Sequence, residues 1–307
     1  MLAFGRGAEL AVPSSRKSWG MVLFAFAAGC AAAAIADDFK YTNIDFPGAK
    51  ATRPVGINDS GQIVGSFVDK DGKQHGFSRS TSGDFVAFDV PNSIRTAATG
   101  VNGAGLIVGW FRRIGESDDA NSGHGFLRTA SGSFTTIDIP TAAWTQAYGI
   151  NAAGQVVGVF CDSAGYWHGF LRSESGIFTT IDYPFASNSE LFGINDVGQI
   201  SGSYKSNSDD RIHGFLRDPT GTFSTIDPPG ATETRAHGIN RIGDSVGVFA
   251  GTANQAHGFL RAALGSFTAV DAPHAKATSV LGIADAGQIV GVFNDVDGGE
   301  HGYTATR

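Results

Sequence analysis

Apolar residues along this chain fall in short runs of four to seven, rich in Ile, Val, Phe and Thr, each bounded by Gly, Asn, Asp or Ser. Around residue 150 the pattern reads AYGIN, AAGQVVGVF, HGFLR and GIFTTID. Runs of this length with turn residues between them predict β-strands, and nothing in the pattern carries the 3.6-residue period of an amphipathic helix. The pattern then repeats about every 45 residues. Gly-Ile-Asn-type triplets start at Gly56, Gly100, Gly149, Gly193, Gly238 and Gly282; His-Gly-Phe-type triplets start at His75, His124, His168, His213, His257 and His301. An Asp followed two residues later by Pro stands at Asp45, Asp89, Asp138, Asp182, Asp227 and Asp271.

Four short strands in a 45-residue unit make one blade of a β-propeller, so six units predict an all-β, six-bladed propeller with four antiparallel strands per blade. Eight residues always separate the Pro from the next Gly-Ile-Asn glycine, and thirteen separate each His from its following Asp. Length varies only between the second and third strands, where the gap is seven residues in four copies, eight in the fourth copy and twelve in the second. In an up-and-down blade that turn shares a face with the crossover to the next blade, so one face is constant and the other is free to vary. Variable loops on a rigid scaffold are where binding is usually placed. The ends are out of phase: FKYTNID is a fourth strand without its first three, and HGYTATR a third strand without its fourth. Pairing them in one blade closes the ring and removes exposed edges. The alternatives are an open β-solenoid, which needs polar caps that the chain does not show, and a two-sheet arrangement.

The unit, with its GIN-x-x-G-Q-I-V-G segment followed by His-Gly-Phe and Phe-Thr-Thr-Ile-Asp-x-Pro, resembles the bacterial extracellular HAF-type repeat, named for a His-Ala-Phe triplet. The resemblance covers residues 39–307, with Gly at the middle of every triplet and Tyr303 ending the last. It implies export and a propeller-like fold, and brings no activity with it.

Residues 1–36 differ from the rest. Arg6, Arg16 and Lys17 precede the apolar run at 19–36, which ends Ala34-Ile35-Ala36 before Asp37-Asp38. That layout predicts a secretory signal peptide, with 37–307 as the propeller; the alternatives are an uncleaved anchor or lipidation at Cys30 of AAGC. Cleavage leaves 19 basic and 28 acidic residues, a net charge of −9. An acidic surface repels phosphate backbones, so nucleic acid is excluded as a partner. Cleavage also leaves a single cysteine, Cys161, and no internal disulfide, and the expected product is an extracellular or periplasmic monomer with no membrane span.

The six motif histidines lie on third strands, too far from the axis to converge on a metal, and are expected to hydrogen-bond within their own blades to the Asp of Asp-x-Pro. The asparagines of Gly-Ile-Asn open tight turns, which Asx side chains support; Ala284 replaces the last of them. GDSVG at 243–247 matches a nucleophile-elbow pattern, but Ser245 occupies a strand position held elsewhere by Ile or Val, and no helix follows. No cofactor is expected, although the acidic turns at 69–72 and 294–300 offer oxygen ligands of the kind calcium takes.

Features present in one or two copies cannot be explained by the need to build a blade. They are Trp110, Trp144 in the crossover to the third copy, Trp167 and Tyr166, with Arg112, Arg113, Asp118 and Asp119 in the long insertion. Aromatic rings beside charges suit a sugar ring or a partner's apolar anchor. Three residues before each Gly-Ile-Asn glycine, at the expected channel mouth, stand Arg53, Ala97, Gln146, Glu190, Arg235 and Ser279, where two arginines facing a glutamate can orient a polar ligand. These sites predict a non-enzymatic propeller that binds a carbohydrate, cell-envelope component or protein partner, with Trp144 and Trp167 stacking on the ligand. The alternatives are a polysaccharide hydrolase or lyase using Glu190, Arg235 and His237, and a structural module without a ligand.

Overall fold

The computed structural model describes residues 39–116, 122–253 and 255–307, and among these every regular element is a β-strand. The chain enters as β1 (Lys40–Asn43). Blade one is β2 (Ala51–Ile57), β3 (Ile63–Val68), β4 (Gln74–Arg79) and β5 (Phe85–Phe88); blade two is β6 (Ser93–Val101), β7 (Ile107–Arg113), β8 (His124–Arg128) and β9 (Phe134–Ile137). Blade three is β10 (Trp144–Ile150), β11 (Val156–Cys161), β12 (Trp167–Arg172) and β13 (Phe178–Ile181); blade four is β14 (Ala186–Ile194), β15 (Ile200–Ser206), β16 (Ile212–Arg217) and β17 (Phe223–Thr225). Blade five is β18 (Glu233–Ile239), β19 (Ser245–Ala250), β20 (Ala256–Arg261) and β21 (Phe267–Val270). Blade six is β22 (Ala277–Ile283), β23 (Ile289–Asn294) and β24 (Glu300–Thr306), completed by β1. Lys40 to Asn43 pair antiparallel with Thr306 to Tyr303, so the first strand closes the last blade. This six-bladed propeller rules out the solenoid and the two-sheet arrangement. The expected leader with Cys30, and Asp118 and Asp119, lie outside the described residues.

The third residue of each His-Gly-Phe triplet carries the blade core. Phe77, Phe126, Phe170, Phe215, Phe259 and Tyr303 are at most 1% exposed, and each contributes about 1.5–3 kcal/mol by leaving water. The middle glycine is set by the outer strand of its own blade, joined in most copies by the next blade: a Cβ on Gly169 would lie 2.5 Å from Ile181 O and 2.6 Å from Leu191 Cγ, one on Gly302 2.5 Å from Ile44 O and from Pro54 Cδ, and one on Gly76 2.8 Å from the Phe88 ring. Contacts this close leave no room for the alanine of the His-Ala-Phe pattern.

The motif histidines bond to the expected aspartates in all six blades. Nδ1 faces Asp89, Asp138, Asp182, Asp227, Asp271 and Asp45 in turn at 2.7–3.2 Å. In five blades Nε2 meets a second carboxylate from the turn between second and third strands: Asp69, Glu116, Asp162, Asp209 or Asp295, at 2.7–3.4 Å. Each such histidine ties the turn to the crossover. The flanking carboxylates hold the imidazolium form above its usual range at His168, His213 and His301 despite burial, and at His257 the single partner Asp271 does the same.

The asparagines have a second role beyond their turns. Asn58 Oδ1 accepts the Gln62 amide at 3.0 Å, while its Nδ2 donates to the Asn102 carbonyl of the next blade at 2.9 Å. Asn102, Asn151 and Asn195 continue this belt at 3.1, 3.3 and 2.8 Å. The belt stops at Asn240, whose Nδ2 reaches Asp244 in its own turn at 3.5 Å, and Ala284 has no amide to resume it; across these two junctions the Arg241 amide donates to Asp285, and the Asp285 amide donates to Asp59.

Candidate functional site

Side chains of the inner strands point at the axis at alternate positions and form tiers. In the deepest tier, each blade contributes the residue before its Gly-Ile-Asn glycine: Val55, Thr99, Tyr148, Phe192, His237 and Leu281. Five of them border two cavities, one of about 390 Å³ opening on the variable face and one of about 180 Å³ on the constant face. Above this floor stand Arg53, Ala97, Gln146, Glu190, Arg235 and Ser279. The larger cavity is also lined by Trp110, Arg112, Trp144 and Trp167, so the structure brings the two groups of residues singled out in the sequence into one site.

Blades three to five give the cavity a polar and aromatic wall. Tyr148 donates to Gln146 Oε1 at 2.7 Å, and its ring meets Phe192 edge-on at 5.2 Å; His237 lies 4.6 Å beyond. Ser203 donates to Glu190 Oε2 at 3.0 Å. Burial pushes the Glu190 carboxyl above its usual range, because the pull of Arg235 and of the Ser203 hydrogen bond does not offset the loss of water. Burial, reinforced by the Arg235 charge, depresses His237 to about 3, so its ring is neutral. The opposite wall is built from small or aliphatic residues such as Ala97, Ala277, Leu281 and Val292.

The expected opposition of two arginines to Glu190 is corrected in one respect. Arg53 is engaged by the first residue of β24 in the neighbouring blade, its Nε and Nη2 donating to the two Glu300 oxygens at 3.1 and 2.6 Å, with both side chains under a fifth exposed. Arg235 lies 3.6 Å from Glu233.

The aromatic group also differs from expectation. Trp144 is the first residue of β10 rather than part of a crossover, and only 5% of it is exposed. It packs with Val159 and Cys161 and meets Trp167 in a T-shaped contact at 5.2 Å, so it backs the wall instead of offering a free ring face. Trp110 and Trp167 are half-buried. Trp110 pairs in register with Ala97, the smallest side chain of its tier, and fills that gap from the second strand. The Arg112 guanidinium lies over the Trp110 ring at 5.7 Å. Arg113 points to the other side of the sheet, over Phe111 and beside His124, and Tyr166, 54% exposed at a turn tip, does not line the cavity. Phe185, which the sequence reasoning passed over, is 95% exposed in a crossover with φ of 61°; its only sequence signal is a bulky residue where Gly48 and Gly230 stand in other copies.

Ser245 is fully buried in β19, out of reach of any substrate. Asp69 and Asp295 each use one oxygen to accept two turn amides and the other to meet the motif histidine. Burial, with Asp162 nearby, pushes the Cys161 thiol up.

No family profile and no characterised sequence matches the chain significantly. Solved structures do. A point mutant of Aleuria aurantia lectin in complex with Fucα1-6GlcNAc is 10% identical, with a TM-score of 0.52 over 83% of this chain and 93% of that one. The same lectin with α-methyl-L-fucoside gives 12% and 0.51 over 86% and 93%. A streptogramin B lyase structure gives 16% and 0.49 over 86% and 87%. At these identities the likeness is one of fold.

Proposed function

We propose that this chain is an exported, HAF-type propeller that binds a carbohydrate of its surroundings in the axial cavity of the variable face. The observation that carries the reading is convergence: every tryptophan between residues 39 and 307 lines one cavity, together with an amide, a carboxyl, a guanidinium and a neutral imidazole. Apolar faces with a few converging polar groups are what a sugar ring requires. Trp110 and Trp167 supply the stacking surfaces, Trp144 braces Trp167, and Gln146, Glu190 and Arg235 meet hydroxyl groups. The saccharide complexes of the Aleuria lectin support a sugar on a ring fold of this kind. Export rests on the basic and apolar layout of residues 1–36, and anchoring through Cys30 is the variant of the same scheme. No helix among the described residues is long and apolar enough to cross a membrane.

A glycan array with the mature protein tests the reading, and Trp110→Ala with Trp167→Ala is expected to lower affinity at least tenfold while leaving the fold intact. Trp144→Ala should instead cost about 3–5 kcal/mol of stability, the usual range for emptying a buried tryptophan site. Retained affinity in the double variant refutes the assigned site. Binding to an envelope protein but to no glycan selects the protein-partner alternative, and no saturable binding selects the structural module.

A second reading is favoured by one observation, the pairing of a carboxyl held towards its protonated form with a neutral imidazole in the same cavity. In it Glu190 donates a proton to a glycosidic oxygen, with Arg235 and His237 alongside. Reducing ends or unsaturated sugars released from a polysaccharide panel, and lost in Glu190→Gln, identify it.

A further inference from the structure

The geometry points to recognition of chain ends: the cavity takes the terminal sugar of a glycan, inserted along the propeller axis, and not a segment within a longer chain. The inference rests on the carbohydrate reading above and narrows the class of ligand.

The cavity has a wall on every side. Arg53, Trp110, Trp167, Glu190, Arg235 and Ala277 come one from each of the six blades, so no gap in the ring lets a chain enter at one edge and leave at another. It also has a floor. A Cβ on Gly56 would lie 3.0 Å from Gly100 Cα, one on Gly149 3.1 Å from Gly193 Cα and one on Gly238 3.0 Å from Gly282 Cα, so neighbouring inner strands touch at this level. Six strands spaced by roughly 5 Å form a hexagon whose radius is about the same 5 Å before any side chain is counted. Tyr148, Phe192, His237 and Leu281, with Val55 and Thr99, project into that opening. A sugar ring cannot pass them, and the cavity below is reached only from the constant face.

The polar groups are placed for an end as well. Gln146, Glu190 and Arg235 sit on adjacent inner strands at one depth, directly above the aromatic floor, and the Glu190 and Arg235 side chains retain hydrogen-bonding capacity beyond Ser203 and Glu233. Adjacent hydroxyls of a terminal ring are free to meet an arc of this kind, whereas an internal residue has one of its positions occupied by the next linkage. Trp167 stands one tier higher in the mouth, level with Trp144 and with the penultimate ring, while Trp110 lies opposite Ala97 at the depth of the arc and flanks the terminal ring. A volume of about 390 Å³ lies within the usual range for small-ligand sites and suits one or two sugar rings.

The test uses an array of glycans coupled through their reducing ends, so that non-reducing termini are free, followed by competition in solution. The expected result is binding sorted by terminal residue, displacement by the matching free monosaccharide, and at least tenfold weaker competition by a polysaccharide that carries the same residue only internally. Equal competition by the internal residue overturns the chain-end inference and leaves the carbohydrate reading standing. Failure to bind any glycan overturns both. Ser279→Trp, which fills the pit from blade six, should abolish binding; if that variant does not fold, Glu190→Gln keeps the shape and should weaken terminal-residue binding at least tenfold. Unchanged affinity in Glu190→Gln contradicts insertion to the floor.

Discussion

Removal of residues 37–43 lowers the unfolding temperature by roughly 10–20 °C and makes the chain self-associate. The deletion takes away β1, whose four residues pair with Tyr303 to Thr306 and close the ring. Phe39 is 6% exposed, the Arg307 guanidinium covers its ring at 4.9 Å, and Tyr41 packs against Tyr303 at 5.4 Å. Two aromatic side chains and a short ladder together stabilise the fold by about 5 kcal/mol, and a chain of this size loses some 2–4 °C per kcal/mol. Self-association follows because β24 becomes a bare edge facing solvent. A synthetic peptide of residues 37–45 added in trans should restore most of the lost stability by strand addition. Calorimetry and light scattering of the truncated chain, with and without peptide, check both parts; a truncated monomer with unchanged stability would falsify closure by this strand.

Stability should also peak near pH 6.5, with the two limbs set by different histidines. His168, His213, His257 and His301 bind protons more tightly folded than unfolded, so their contribution is complete below 6.5 and is lost as pH rises through their raised values. His237 behaves in the opposite sense. Held neutral down to about 3, it stabilises fully above 6.5, and that contribution is lost as pH falls, because the unfolded chain takes up the proton that the folded one refuses. The acid slope from such a group is at most about 1.4 kcal/mol per pH unit. Glu190, with its raised value, works against that slope, and Asp69, Asp162, Asp209 and Asp295, with lowered values, add to the loss below about 3.8. His237→Phe, which copies Phe192 of the preceding blade, should flatten the acid limb between pH 6.5 and 4 and leave the alkaline limb in place. Melting temperatures of both proteins from pH 4 to 9 measure this; superimposable acid limbs would show that the His237 ring is hydrated.

The fold was legible because each blade repeats its own instructions. Strand lengths, the Asp-x-Pro crossovers and the out-of-phase ends each follow from one copy compared with the next, and the His to Asp bond follows from a constant spacing. The second carboxylate on the histidines was not read from the sequence: it opens the turn in three copies, as Asp69, Asp162 and Asp295, but stands deeper in the turn as Glu116 and Asp209, so no constant spacing marks it. What the sequence did not reveal depends on register between strands and on contacts around the ring. Trp110 reaches the cavity because it stands opposite Ala97, which only the ladder shows. Arg53 is engaged by Glu300, 247 residues away, through a ring closure that brings blade six against blade one. Trp144 looked like a loop residue because the crossover is short and β10 begins earlier than its Gly-Ile-Asn core suggests. The asparagine belt escaped notice because its acceptors are backbone carbonyls, which carry no residue signature.

All three tryptophans between residues 39 and 307 line the axial cavity, which makes the intrinsic fluorescence of that part of the chain a direct reporter of the site. The decisive measurement is tryptophan emission during titration with a glycan that binds by calorimetry. Occupation of the cavity predicts a saturable change in emission whose midpoint matches the calorimetric affinity, and which vanishes in the Trp110→Ala, Trp167→Ala variant. Calorimetric binding with emission unchanged would place the ligand elsewhere on the ring and contradict the account.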